Sequence, residues 1–284
     1  MRPGQFLSAT IWLLMIIATA CTAAAQTPFV GDWKLNQDKS QLAGDTMKFG
    51  AAQGDAIELK AGGLTYSFRV DGKNYAMPSG NIAIWRQASS TSWTTEYRKP
   101  DGSLLSRDSW QLSTDGQKLS VTTSGVKADG DLFTNTAEYV RTAGSGGLMG
   151  AWKSTEVKLS SPNEFSIGEV GLDKLVLKVP AMKVTCEITS DGKEVAVEGP
   201  DIPTGLRISL TRTGPYAFRL VQKLNGSVIS TAVYTVAEDR ETMTEVGGTP
   251  GDPPATLVWE RQAPAAAAAP AQRPNGANPP AGVH

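Results

Sequence analysis

Most side-chain proton transfer and much metal chemistry rely on histidine. This chain of 284 residues has one, His284, at its last position. A Ser-His-Asp or Cys-His nucleophile is excluded by residue supply, and so is a His-based zinc site. Cysteine is as scarce, with only Cys21 and Cys186, too few for a thiolate metal centre. Carboxylates remain. Glu96 and Asp108 fall on adjacent strands of the hairpin turning at KPDGS, 99–103, where two facing carboxylates would suit acid–base work. A solvated face is the reading we take for them. Asp129 and Asp131 bracket a glycine in KADGD, 127–131, without the further carboxylates of a calcium loop, so a hairpin turn is expected. No Gly-rich phosphate loop follows a strand and opens a helix. We therefore expect no enzyme, no metal and no cofactor.

Aromatic side chains are the richer resource. Tyr66, Phe68, Trp85, Trp93, Tyr97 and Trp110 crowd one part of the chain. Tyr66 and Phe68 share a strand face, as do Trp93 and Tyr97. Such walls suit a concave apolar pocket, and they would equally fill a small barrel. We carry these six as candidate contacts for a small lipophilic ligand. The later part of the chain has fewer aromatics, so the first part is where binding is expected.

The elements that position these residues are strands. Leu64, Tyr66, Phe68 and Val70 alternate with polar residues, and Leu206, Ile208 and Leu210 do the same. A period of two marks half-buried antiparallel strands. Met182, Val184, Cys186 and Ile188 also alternate, which places Cys186 on an apolar face as a small buried hydrophobe. KPDGS, TDGQ (114–117), SDGK (190–193) and LNGS (224–227) are hairpin turns. No useful stretch of helical period stands out.

The chain also opens the same way twice. GDWKLNQDKS begins at Gly31 and GAWKSTEVKLS at Gly150, with Trp33 and Trp152 separated by 119 residues (152 − 33). DGK at 71–73 recurs at 191–193, and AEYVR at 137–141 is echoed by LVWER at 257–261. Landmarks recurring in one order argue for duplication, at a period that makes each copy a domain. The expected organisation is an all-β pair of tandem antiparallel barrels, with β-sandwiches as the alternative: barrel 29–141, linker 142–147, barrel 148–262. Each copy should hold eight to ten short strands. A Trp near the first strand can plug one barrel end, the preceding Gly permitting close backbone approach. An Arg in the last strand can lie over its indole. Pairing within each copy gives Trp33 with Arg141 and Trp152 with Arg261. On that pairing, removing Trp33 should loosen the first copy and spare the second.

Gly-x-Trp in the first strand with Arg in the last resembles the lipocalin-like, or calycin, arrangement. GDWKLNQDKS in particular resembles the opening of uncharacterised exported bacterial proteins with lipocalin-like domains. That resemblance covers nearly all of 29–262 and implies barrels that bind small apolar or amphipathic ligands. Thr95-Glu96-Tyr97 is a loose match to a lipocalin Thr-Asp-Tyr loop, and the second copy has none. Each copy is also shorter than a typical lipocalin.

Composition sets the outer limits. Hydrophobic residues are 40% and charged residues 19%, with a net charge of −1, so no bulk positive field invites nucleic acid. Residues 1–25 read as a signal peptide: Arg2, an apolar run, then Ala23 and Ala25 before Gln26. The expected product is periplasmic or secreted, with no transmembrane span after processing; the alternative is a lipoprotein anchored through Cys21. Residues 263–284 are rich in Ala and Pro and are expected to be a disordered tail. The alternative function is a structural or protein-interaction module of the envelope, with filled barrels and no ligand.

Overall fold

A computed structural model describes residues 27–161, 163–171 and 174–263. The leader at 1–25, Cys21 as a lipidation site, His284 and all but the first residue of the tail lie outside the described residues.

The described chain is all β. In order, the strands are β1 (Gly31–Leu35), β2 (Thr46–Ala51), β3 (Ile57–Ala61), β4 (Leu64–Phe68), β5 (Tyr75–Ala76), β6 (Ile82–Ser89), β7 (Ser92–Arg98), β8 (Leu104–Leu112), β9 (Lys118–Val126) and β10 (Leu132–Ala143). They continue with β11 (Gly150–Lys158), β12 (Glu164–Val170), β13 (Lys174–Val179), β14 (Val184–Thr189), β15 (Asp191–Ala196), β16 (Leu206–Gly214), β17 (Ala217–Leu224), β18 (Ser227–Val236), β19 (Thr242–Gly248) and β20 (Ala255–Arg261). A single 3-10 turn, Pro180–Met182, interrupts them. Among the described residues no helix is long and apolar enough to cross a membrane.

Two nearly closed antiparallel barrels of ten strands result. Barrel I runs β4-β3-β2-β11-β10-β9-β8-β7-β6-β5, and barrel II runs β14-β13-β12-β1-β20-β19-β18-β17-β16-β15. Each ladder breaks at the same place, between its β4–β5 or β14–β15 edges. In barrel I an isolated bridge from Asp71 to Arg86 stitches the gap, and the Gly72 amide donates to the Trp85 carbonyl at 2.9 Å. Three of the four expected hairpin turns form: Gly102 and Gly116 donate back to Lys99 and Ser113, each at 2.9 Å, and LNGS joins β17 to β18. SDGK (190–193) is corrected, because Asp191 and Gly192 open β15 at the ladder break, where β14 and β15 do not pair. Gly130 donates back to Lys127 at 2.9 Å, with Asp131 N on Asp129 Oδ1 at 3.0 Å, so KADGD is a hairpin turn.

The barrels do not follow the repeats. β1 pairs with β12 and β20, far along the chain, while β11 pairs with β10 and β2. Barrel I is therefore one uninterrupted segment, Thr46 to Lys158, inserted between the first strand of barrel II and the other nine. The expected boundaries, 29–141 and 148–262, are corrected accordingly. The stretch expected to link the domains is instead the β10–β11 hairpin loop, where Gly144, Gly146 and Gly147 all take positive φ. The physical reason is local. A short glycine loop lets β11 fold straight back on β10 at small closure entropy. The chain crosses between barrels at 36–45 and 159–163. The barrels also touch: Lys99 bonds Asp201 at 2.6 Å, and the Asn225 side chain donates to the Pro78 carbonyl at 3.0 Å.

Candidate functional site

Each barrel is shut at one end by the same device. Trp33 and Trp152 are fully buried. The indole Nε1 of Trp33 donates to the Phe29 carbonyl at 2.9 Å, and that of Trp152 to Leu148 at 2.9 Å. Arg261 lies over the Trp33 ring at 4.3 Å and Arg141 over the Trp152 ring at 4.1 Å. The pairing expected within each copy is thus overturned, because β1 and β11 sit in the barrels that carry the other copy's arginine. Both guanidiniums are satisfied by carbonyls alone: Arg141 by Gly116 at 2.7 Å, Gly147 at 2.7 Å and Met149; Arg261 by Arg240 at 2.5 Å, Pro28 at 2.8 Å and Val30. The glycines before each Trp explain themselves here. Gly31 and Gly150 take φ of +151° and +123°, and a β-carbon would strike the Arg261 guanidinium at Gly31 or the Ala143 carbonyl at Gly150.

Barrel I is filled. The six aromatics proposed as ligand contacts pack on one another. Phe68 stacks on Trp85 with centroids 4.2 Å apart, Trp85 meets Trp110 at 5.1 Å, and Phe49 stands edge-on to both at 6.1 Å. Their polar atoms are used internally: Trp85 Nε1 on Tyr66 Oη at 3.1 Å, Trp110 Nε1 on Thr95 Oγ1 at 3.0 Å. Trp93 joins the same core, with Tyr97 packed against it.

The two carboxylates of the β7–β8 hairpin do not face each other. Register sets Glu96 opposite Arg107 and Thr95 opposite Asp108, so the carboxylates lie on opposite faces. Glu96 points outward among Arg98 (2.7 Å), Arg107 (3.2 Å) and Arg86 (3.8 Å), and the Arg98 hydrogen bond holds its carboxyl below the usual range. Asp108 points inward and is 8% exposed, with Oδ1 unpartnered. Burial pushes its carboxyl up to about 6, against hydrogen bonding from Thr123 and Tyr97.

The apolar cavity is in barrel II. It measures about 290 Å³ and opens at the end away from Trp33. Phe165, Leu177, Phe218, Leu220, Tyr234 and Trp259 form its walls, and the Pro180–Met182 turn lies at its rim. Matching the two ladders residue by residue explains the space. Ile167 stands where barrel I has Phe49, Phe218 where it has Trp93, Tyr234 where it has Trp110, and Gln222 where it has Tyr97. Leu210, behind them, replaces Trp85. Phe165 and Trp259 are larger than their counterparts Met47 and Tyr139, but they do not restore the lost volume. A barrel of fixed strand number with smaller inward residues keeps a void. Below the walls, Trp259 Nε1 donates to Glu245 Oε2 at 3.0 Å, and Tyr234 also hydrogen-bonds this carboxylate. Burial raises the Glu245 carboxyl above its ordinary value.

Reasoning from sequence looked for a pocket where aromatics were densest. The usable signal was the reverse, the thinning of aromatics between two copies of one scaffold. Cys186 is buried in barrel II at the position of Tyr66, and burial raises its thiol. No family model matches the chain, nor does any curated protein or solved structure.

Proposed function

We propose that this is an exported, lipocalin-like binding protein that carries a small apolar or amphipathic ligand in barrel II without catalysing a reaction. The observation that carries the reading is the cavity of about 290 Å³ walled by Phe165, Leu177, Leu220, Tyr234 and Trp259. Its size lies at the lower edge of the range for ligand pockets, and its lining is mostly carbon. Binding would be driven by desolvation of the ligand against these walls. The Gly-x-Trp plug with its arginine supports lipocalin-like kinship, and the apolar run at the N-terminus supports export.

The test uses the uncharged probe N-phenyl-1-naphthylamine, whose emission rises in an apolar site. Saturable binding at one site per chain is expected, lost when Leu220→Trp fills the cavity and kept when Thr95→Val alters barrel I. Absence of saturable binding in the parent protein would remove the reading. The alternative, an envelope interaction module, draws on barrel I: its core is filled, and Leu104, Val126 and Leu132 form an exposed apolar patch beside the β9–β10 turn, Leu132 being 79% exposed. Such a patch suits a protein partner.

A further inference from the structure

We infer that the barrel II cavity selects amphiphiles with a neutral or cationic head group and refuses anionic ones. This rests on the reading that the cavity binds a ligand, and concerns which one.

The charge inventory of the lining carries the inference. Among the described residues no Lys, Arg or His lines the cavity. The two strong donors on its aromatic walls, Tyr234 Oη and Trp259 Nε1, are both committed to Glu245. They present ring carbon to the interior, with a carboxyl group behind them. At the rim the polar side chains are Asn163 and Gln222, both neutral amides, and Glu164. Two lysines stand nearby, each in an ion pair: Lys34 with the rim carboxylate Glu164 itself at 2.8 Å, and Lys223, next to Gln222, with Glu194. Lys183 follows the rim turn in a left-handed conformation, exposed, and is not part of the lining.

An ionised head seated here must give up water for two amides, with a Lys34-paired carboxylate at the rim and the Glu245 carboxyl behind the floor. Burying a charge without a counter-charge is costly. A hydroxyl or amide head meets no such penalty, because Asn163 and Gln222 each offer a donor and an acceptor. An ammonium head would find Glu164 at the rim in competition with Lys34, whose ion pair with it is solvent-exposed and so easily exchanged. The discrimination works through what the site lacks as much as through what it offers.

The experiment displaces bound N-phenyl-1-naphthylamine from the full chain with three decyl compounds at pH 8, all below their micelle concentrations: 1-decanol, decylammonium and decanoate. Decanol and decylammonium are expected to displace the probe at concentrations at least tenfold below decanoate. Gln222→Lys, a rim change on a half-buried side chain, should lower the decanoate concentration needed by about tenfold. Decanoate acting as well as decanol in the parent protein would overturn the inference while leaving the cavity reading intact. So would a Gln222→Lys protein that gains nothing for decanoate. A probe that binds saturably but yields to none of the three would also overturn it. A probe that never binds would overturn both.

Discussion

Replacing either plug tryptophan distinguishes the nested arrangement from two self-contained repeats. Trp152 is fully buried under Arg141 in barrel I, and Trp33 under Arg261 in barrel II. Truncation to Ala removes an indole from a closed barrel end, loses the bond to Leu148 or Phe29, and strips the arginine of its ring. Large aromatic deletions in cores cost about 3–5 kcal/mol, and the stacked guanidinium adds up to about 1–2 kcal/mol of coupling. For a barrel of this size each kcal/mol moves the midpoint by roughly 4 °C or more, so each variant should lower one transition by at least about 12 °C. Hydrogen exchange read by mass spectrometry assigns the loss to a segment. Trp152→Ala is expected to speed exchange across β2–β10 and leave β12–β20 protected. Trp33→Ala should do the opposite, loosening strands that lie more than a hundred residues away and sparing its own repeat. If Trp33→Ala instead loosened β2–β10, the strand assignment and everything built on it would fall. A cycle of Trp152→Ala with Arg141→Ala should show coupling, and Trp33→Ala with Arg141→Ala should be additive.

Three further outcomes are expected. Burial holds the Asp108 carboxyl at about 6 against an ordinary 3.8, so the fold binds this proton more tightly than the unfolded chain. Its contribution is complete below about pH 4 and is lost as pH rises through about 6, a span worth about 3 kcal/mol. Asp108→Asn should flatten the urea-unfolding profile of barrel I over that range and stabilise it at pH 8, and an unchanged slope would exonerate the carboxyl. A fragment of residues 44–161 should fold alone into a barrel with a cooperative thermal transition and near-ultraviolet circular dichroism; a featureless spectrum would contradict the contiguous barrel. Cys186, buried with its thiol pushed up, should react with a thiol reagent only at the rate barrel II opens, and reaction in the native protein at the rate of a free thiol would refute its placement.

Much of the architecture was legible because strand chemistry is local. Alternation at Leu64–Phe68 and Leu206–Leu210 becomes β4 and the start of β16. The Asp-Gly or Asn-Gly pairs at 101–102, 115–116, 129–130 and 225–226 turn hairpins, whereas those at 71–72 and 191–192 fall at the two ladder breaks. The two plugs were legible as residues, since only a Gly fits before a Trp whose arginine crosses the backbone so closely. Their partners were not. The two strands share their Gly, Trp and Lys, so the plug residues by themselves do not say which barrel each copy joins; where the strands differ, Leu35 packs into the core of barrel II and Ser154 accepts from the Gly44 amide at 2.8 Å. Glu96 and Asp108 were separable only once register was known, because one residue of slip exchanges inside for outside. The cavity was hidden for another reason: a void is a property of what is missing at Ile167, Leu210 and Phe218, visible only against their larger counterparts.

The split of barrel II has a consequence for the order of synthesis. Every ladder of barrel I closes between Thr46 and Lys158, so that barrel can form while the rest of the chain is still being made. Barrel II cannot. Asn36 waits for Glu260, 224 residues downstream, and Arg261 brings the final cap to the far end of β1. The first strand to emerge is the one whose partner β20 arrives last, and contacts of such separation form slowly. A chain broken off between Lys158 and β20 would hold a finished barrel I beside an open barrel II with Trp33 uncovered by Arg261. Completion of barrel II thereby reports that synthesis has passed β20.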